Sequence, residues 1–165
     1  MLPFEAGIAA GVDVVMTAHI TTPNATADGL PASLSYTMIT ERLRRELGFQ
    51  GVIVTDALGM NAIKKYFAPA ESAVAALCAG VDVLLMPSDL RAAFDGVVRA
   101  VEDGTLSEER LNESVRRILT LKQKTGLDLR GSAAAEQPLP EKTPDTKCSF
   151  SDWLKKLWSG ADSAA

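Results

Sequence analysis

The sequence has little of what usually announces chemistry. It holds two cysteines, Cys78 and Cys148, and a single histidine, His19. Two cysteines make no disulfide framework, and with one histidine they give no zinc-ligand spacing, so no metal or other cofactor is expected. Cys78 lies in an alanine-rich run and reads as a small buried hydrophobe, whereas Cys148 lies in a polar tail. Basic residues do not exceed acidic ones: 17 Lys and Arg against 21 Asp and Glu leave a net charge of -4. A nucleic-acid partner is therefore not expected, because phosphate binding needs a basic face. Arg42, Arg44 and Arg45 do cluster, but Glu41 and Glu46 interleave with them, and the pattern reads as a solvated helix face. No hydrophobic run approaches the length of a membrane span. The first residues, MLPFEAGIAAGVDVVMTAHI, show no basic start and no cleavage pattern, so they do not read as a signal peptide. They read as the last turns of a helix, which suggests a chain cut from something longer. Nothing assigns a compartment. No glycine-rich turn of the dinucleotide-binding kind follows any hydrophobic run, which sets aside a nucleotide-binding α/β protein.

What is present is a set of short, β-branched and aliphatic runs. AGVDVVM at 10–16 and AGVDVLLM at 79–86 nearly repeat, and GVIVTD at 51–56 is of the same kind. Such runs alternate little and suit strands buried on both faces, as in a parallel sheet covered by helices. Helical patterns lie between them. SYTMITERLRRELG has Ser35 as N-cap, Gly48 as stop, an apolar stripe of Tyr36, Ile39, Leu43 and Leu47, and a Glu41–Arg45 pair on the wet face. PAESAVAALCAG ends at Gly80. SDLRAAFDGVVRAVEDG starts at a capping Ser88 and is expected to bury Leu90, Phe94, Val97 and Val101. SEERLNESVRRILTLKQKTG continues with Leu111, Val115 and Ile118 and stops near Gly126.

This alternation of strand and helix predicts β-α-β units and a parallel sheet of about three strands. A doubly wound sheet and a β/α barrel both fit. The loop after the first strand, Thr17 to Leu34, is long, and long loops at the carboxyl ends of strands are where α/β barrels build active sites. The composition then changes. Residues 129–149 are rich in proline, alanine and charge and read as a disordered linker. Residues 150–165 follow, with Phe150, Trp153, Leu154, Leu157 and Trp158 on one side of a short amphipathic helix capped by Ser151 or Asp152; it reads equally as a docking helix, a weak membrane-surface contact or a marginal helix at a frayed end.

Few titratable residues fall at strand ends. Asp56 ends the second run and His19 follows the first, while Asp13 and Asp82 stand near strand starts, where barrels place residues that serve stability. Asp56 has two readings: nucleophile or charge stabiliser, and N-cap of the helix that follows. His19 reads first as a satisfied, partly buried histidine. Met16, Met60 and Met86 read as packing.

GVDVVMTAHI, PASLS, LRRELGFQGVIVTDALGM, AVAALCAGVDVLLMP and LNESVRRILTLKQKTGL occur in this order and spacing. Together they resemble the later part of the catalytic barrel of family 3 glycoside hydrolases, in the bacterial β-N-acetylglucosaminidase branch, over residues 1–128. The resemblance implies the C-terminal portion of a TIM (β/α)8 barrel. It implies retaining hydrolysis of terminal β-linked N-acetylglucosamine from peptidoglycan- or chitin-type sugars, with Asp56 as nucleophile and with His19 and Met16 beside the sugar. A retaining glycosidase needs an ionised carboxylate close below the ring, and a rigid strand end fixes one there. The earlier strands are expected to be missing, and with them the loop that carries the family's histidine acid/base. His19 belongs to a different strand and does not take that role. The expectation is a chain inactive by itself, its open sheet edges prone to self-association. The competing reading is a noncatalytic truncated-barrel module that serves partner binding or assembly.

Overall fold

The computed structural model describes residues 1–26 and 28–127. The linker and the amphipathic segment expected at 129–149 and 150–165 lie outside the described residues. The chain runs through α1 (Leu2–Ala9), β1 (Val14–Thr17), a 3-10 turn (Ala32–Leu34), a π-helix (Thr37–Glu46), β2 (Val52–Thr55), and then α2 (Asn61–Lys64), α3 (Pro69–Ala79), α4 (Leu90–Glu102) and α5 (Glu108–Lys124).

β1 and β2 pair in parallel, with Val14 opposite Val52 and Thr17 opposite Thr55. The third hydrophobic run, at 81–86, lies against the other side of β2 but forms no full strand: it makes one parallel bridge, Val83 to Val54. The reason is local. Beyond that bridge the Leu85 N–H donates to the Thr55 side-chain hydroxyl at 3.0 Å, and Met86 turns to a φ of 43°. Pro87 then has no N–H to donate. The expectation of about three strands thus becomes two strands and a bridged third run, with β2 in the middle. The architecture is the C-terminal portion of a (β/α)8 barrel.

The core forms between this sheet and the helices. Ile53, Leu34, Ile39, Leu58, Ile63, Val81 and Leu106 are almost wholly buried. α3 is the central helix, buried at every residue from Ser72 to Ala79, which is why its sequence is nearly all small. It ends on Gly80 at φ 112°, where an added Cβ would meet Thr40 Oγ1 at 2.5 Å, so only glycine fits this stop. The helix after Ser35 winds with π spacing: the Leu47 N–H reaches back to Arg42 O at 2.9 Å. The Ser35 hydroxyl accepts from Met38 N at 3.2 Å and so caps this helix as expected.

Two faces differ from the sequence reading. In α4 the buried residues are Ala93, Gly96 and Ala100; Val97 and Val101 pack partly buried against the core as expected, while Leu90 and Phe94 stand exposed. A Cβ on Gly96 would lie 2.5 Å from Ala70 Cβ, so α4 turns its smallest residues to α3 to bring the two backbones close. Its cap is Asp89, whose carboxylate accepts from Ala92 N at 2.9 Å, not Ser88. In α5 the fully buried residue is Ser114; Leu111 packs partly buried against the core as expected and Ile118 is partly buried, but Val115 is half exposed.

A polar cluster explains Ser114 and corrects the reading of Arg44 as solvated. The Asp82 side chain is wholly buried, and the Arg44 side chain is 10% exposed. Asp82 Oδ2 accepts from Arg44 Nη2 and from Ile53 N at 2.9 Å. Its Oδ1 accepts from Ser114 Oγ at 2.7 Å and Arg117 Nη1 at 3.0 Å, with Arg110 Nη2 at 3.7 Å. Arg44 also donates to Phe49 O and Gly51 O. The cluster binds the π-helix, β2, the third run and α5 together at the starting end of the strands. Asp13, at the start of β1, is held by Lys124 at 2.5 Å. Both aspartates near strand starts are thus structural in their contacts.

Candidate active site

The opposite, carboxyl end of the strands gathers the sequence-predicted site residues. Asp56 follows β2 directly. Its backbone N–H donates to Thr17 O on β1 at 2.9 Å, and one residue earlier Thr55 N donates to Val83 O at 3.0 Å on the other side. The turn beyond it is tied as well: Leu58 N reaches Leu85 O and Gly59 N reaches Met86 O, each at 2.9 Å. Asp56 therefore stands on a backbone fixed from both neighbouring runs. The middle of a parallel sheet does this because its N–H and C=O groups find partners on both sides.

Asp56 is partly exposed. Its Oδ1 accepts from Ala57 N at 2.7 Å. It does not cap the next helix, whose N-cap is Met60. Of the two readings of Asp56, the capping one is thus removed: the carboxylate is left at the strand end, held by one adjacent backbone donor.

His19 lies just beyond β1 and is partly buried. Its Nδ1 is 2.6 Å from Ser33 Oγ, and its Nε2 is 3.0 Å from Ala57 O. Both ring nitrogens are occupied by protein groups. The loop that carries Ser33 back to it is folded on itself: Thr21 bridges Pro31, Ala32 N donates to Ile20 O at 2.9 Å, and Asp28 accepts from Leu30 N and Ser35 Oγ. Met16 is 55% exposed. It pairs in register with Val54, so it stands on the sheet face that Val54 occupies, two residues before Asp56. Sequence reading missed Ser33 and the Ala57 carbonyl. Ser33 lies within the quoted PASLS, but nothing in that stretch signals a contact with His19.

Among the described residues no group of three or more His, Cys, Asp or Glu side chains could hold a metal ion. No described helix is long and apolar enough to cross a membrane.

Residues 1–121 match the model of the glycosyl hydrolase family 3 N terminal domain. The chain belongs to glycoside hydrolase family 3. Among curated relatives, the beta-hexosaminidase A of Pseudoalteromonas piscicida is 38% identical, and the match covers 75% of this chain and 24% of that protein. The beta-N-acetylglucosaminidase/beta-glucosidase of Cellulomonas fimi is 33% identical, again over 75% of this chain and 24% of that protein. The solved family 3 β-N-acetylglucosaminidase of Paenibacillus sp. str. FPU-7 superposes with a TM-score of 0.74 at 42% identity, over 94% of this chain and 30% of that one. This family 3 chain therefore spans about a quarter of the length of the curated relatives it matches.

Proposed function

We propose that this family 3 chain supplies the nucleophile of a retaining β-N-acetylhexosaminidase, and that the nucleophile is Asp56. The observation that carries the reading is the placement of Asp56: a partly exposed carboxylate at the carboxyl end of the central strand, on a backbone tied to both neighbouring runs. Attack on the anomeric carbon needs a carboxylate that does not drift, because small misplacements of a reacting group cost large factors in rate. The names of the relatives support a hexosaminide as substrate. The substrate class we assign is terminal β-linked N-acetylglucosamine of peptidoglycan- or chitin-type sugars, with Met16 beside the sugar ring.

The second half of the chemistry is protonation of the leaving oxygen. His19 holds both ring nitrogens on protein atoms and is not placed to supply that proton; we assign the acid to a part of the enzyme outside the described residues. The chain alone is then expected to show no turnover of chitobiose, whose leaving sugar hydroxyl needs a proton, above the uncatalysed rate. Turnover that disappears in Asp56→Asn would contradict this inactivity.

The proposal extends to association. Val14 and Met16 are exposed on β1, and among the described residues no strand pairs with its outer edge. An apolar strand edge of this kind pairs readily with another chain. Sedimentation velocity is expected to show concentration-dependent association of the full chain, weakened by Met16→Lys. A monomer at every concentration would refute it.

A further inference from the structure

We propose that His19 is the positioning residue for Asp56, acting through Ala57. This rests on the assignment of Asp56 as nucleophile. Three contacts run in series. The Ser33 hydroxyl lies 2.6 Å from His19 Nδ1, His19 Nε2 lies 3.0 Å from the Ala57 carbonyl, and the Ala57 N–H holds Asp56 Oδ1 at 2.7 Å.

The chemistry of the partners fixes the direction of each bond. A carbonyl oxygen only accepts, so in the neutral ring the proton must sit on Nε2. Nδ1 is then an acceptor, and the Ser33 hydroxyl donates to it. The other neutral tautomer would set the bare Nε2 lone pair against the Ala57 oxygen. Ser33 is wholly buried, so no bulk water competes for its hydroxyl; the Ala57 carbonyl, which only accepts, selects the tautomer, and the serine hydroxyl turns to donate to Nδ1.

The mechanical consequence follows from where Ala57 sits. Its N–H side carries the Asp56 carboxylate, and its carbonyl side is held by His19. A turn is free to rotate at such a residue unless both flanking peptides are fastened. The next residues are already fastened, since Leu58 and Gly59 donate to the third run. His19 adds the tie from β1, on the opposite side, so the residue after the nucleophile is braced from both neighbours of β2. His19 touches no reacting atom in this arrangement. It holds the peptide that holds the carboxylate.

The chain's single histidine makes the test direct, because its ring nitrogen signals need no assignment. Long-range proton–nitrogen NMR on the 15N-labelled full chain is expected to show the Nε2–H tautomer. Ser33→Ala is expected to keep the Nε2–H form, because the Ala57 carbonyl still accepts, and to shift the Nδ1 signal that has lost its donor. Carboxyl 13C spectra are expected to show the Asp56 signal moved in His19→Ala and returned in His19→Gln, whose amide can still donate to the Ala57 carbonyl. A purely space-filling histidine would not give that rescue. An Nδ1–H tautomer in the unsubstituted chain, or an Asp56 signal unmoved in a folded His19→Ala chain, overturns the proposal. If His19→Ala does not fold, the tautomer and the Nδ1 shift in Ser33→Ala still decide. None of these readouts uses substrate, so a failed nucleophile assignment appears separately, as a missing glycosyl adduct on Asp56.

Discussion

Asp82→Ala is expected to cost about 3–5 kcal/mol of folding stability, the range for breaking a buried ion pair from one side. A whole domain has only about 5–15 kcal/mol, so the change removes a large share of it. The cost arises less from lost attraction than from what remains. Arg44, Arg110 and Arg117 all point at one wholly buried carboxylate, and their side chains are 10%, 16% and 24% exposed. Burial already pulls the Arg44 guanidinium down to about 10, with Asp82 opposing that shift and the neighbouring arginines adding to it. Burial lowers Arg110 as well. Both stay cationic at neutral pH, so deleting Asp82 leaves three half-desolvated cations facing each other. It also strips Ile53 N and Ser114 Oγ of their acceptor. Urea unfolding reads the effect as a lower midpoint. Adding Arg44→Met to Asp82→Ala should recover part of the loss, because it removes one of the unpaired charges. A loss below about 1 kcal/mol, in the range of an exposed pair, would contradict the account.

This cluster also shows where the sequence stops being informative. The signal for Arg44 was local, and locally it is an arginine among glutamates. Its partner lies 38 residues on, in the third hydrophobic run. What decides its burial is which elements meet, and no helical period contains that. The same holds for α4, where the large apolar residues Leu90 and Phe94 suggest the inner face. Packing against α3 instead selects Ala93, Gly96 and Ala100, because Gly96 lets the backbones approach. By contrast, the strands at β1 and β2, the burial of β2, the helix stops at Gly48 and Gly80, and the cap at Ser35 depend on neighbours in the chain, and these are legible; the expected burial of β1 on both faces is not met, since Val14 and Met16 are exposed. Asp56 is legible for the same reason: it is the residue that ends a hydrophobic run. The bracket around it is not, since Ser33, His19 and Ala57 are joined only by the fold, over separations of 14 and 38 residues.

Asp56 carries the second large expected effect. A donor whose leaving group needs no protonation tests the nucleophile independently of the acid. An N-acetylglucosaminyl fluoride is such a donor, and a 5-fluoro substituent slows the second, hydrolytic step. In a retaining mechanism the first half-reaction forms an ester between the anomeric carbon and the nucleophile, and fluoride departs. Removing a nucleophile typically lowers rates by on the order of 10⁴-fold or more, so Asp56→Asn should leave no adduct on the same timescale. His19→Ala, which loosens Ala57 but keeps the carboxylate, should slow adduct formation without abolishing it.

The most direct measurement is therefore the intact mass of the full chain after incubation with that fluoride, followed by peptide mapping. The account predicts a gain of one glycosyl unit on the peptide that contains Asp56, absent from Asp56→Asn. No gain, a gain on another residue, or fluoride release without a protein adduct would contradict it.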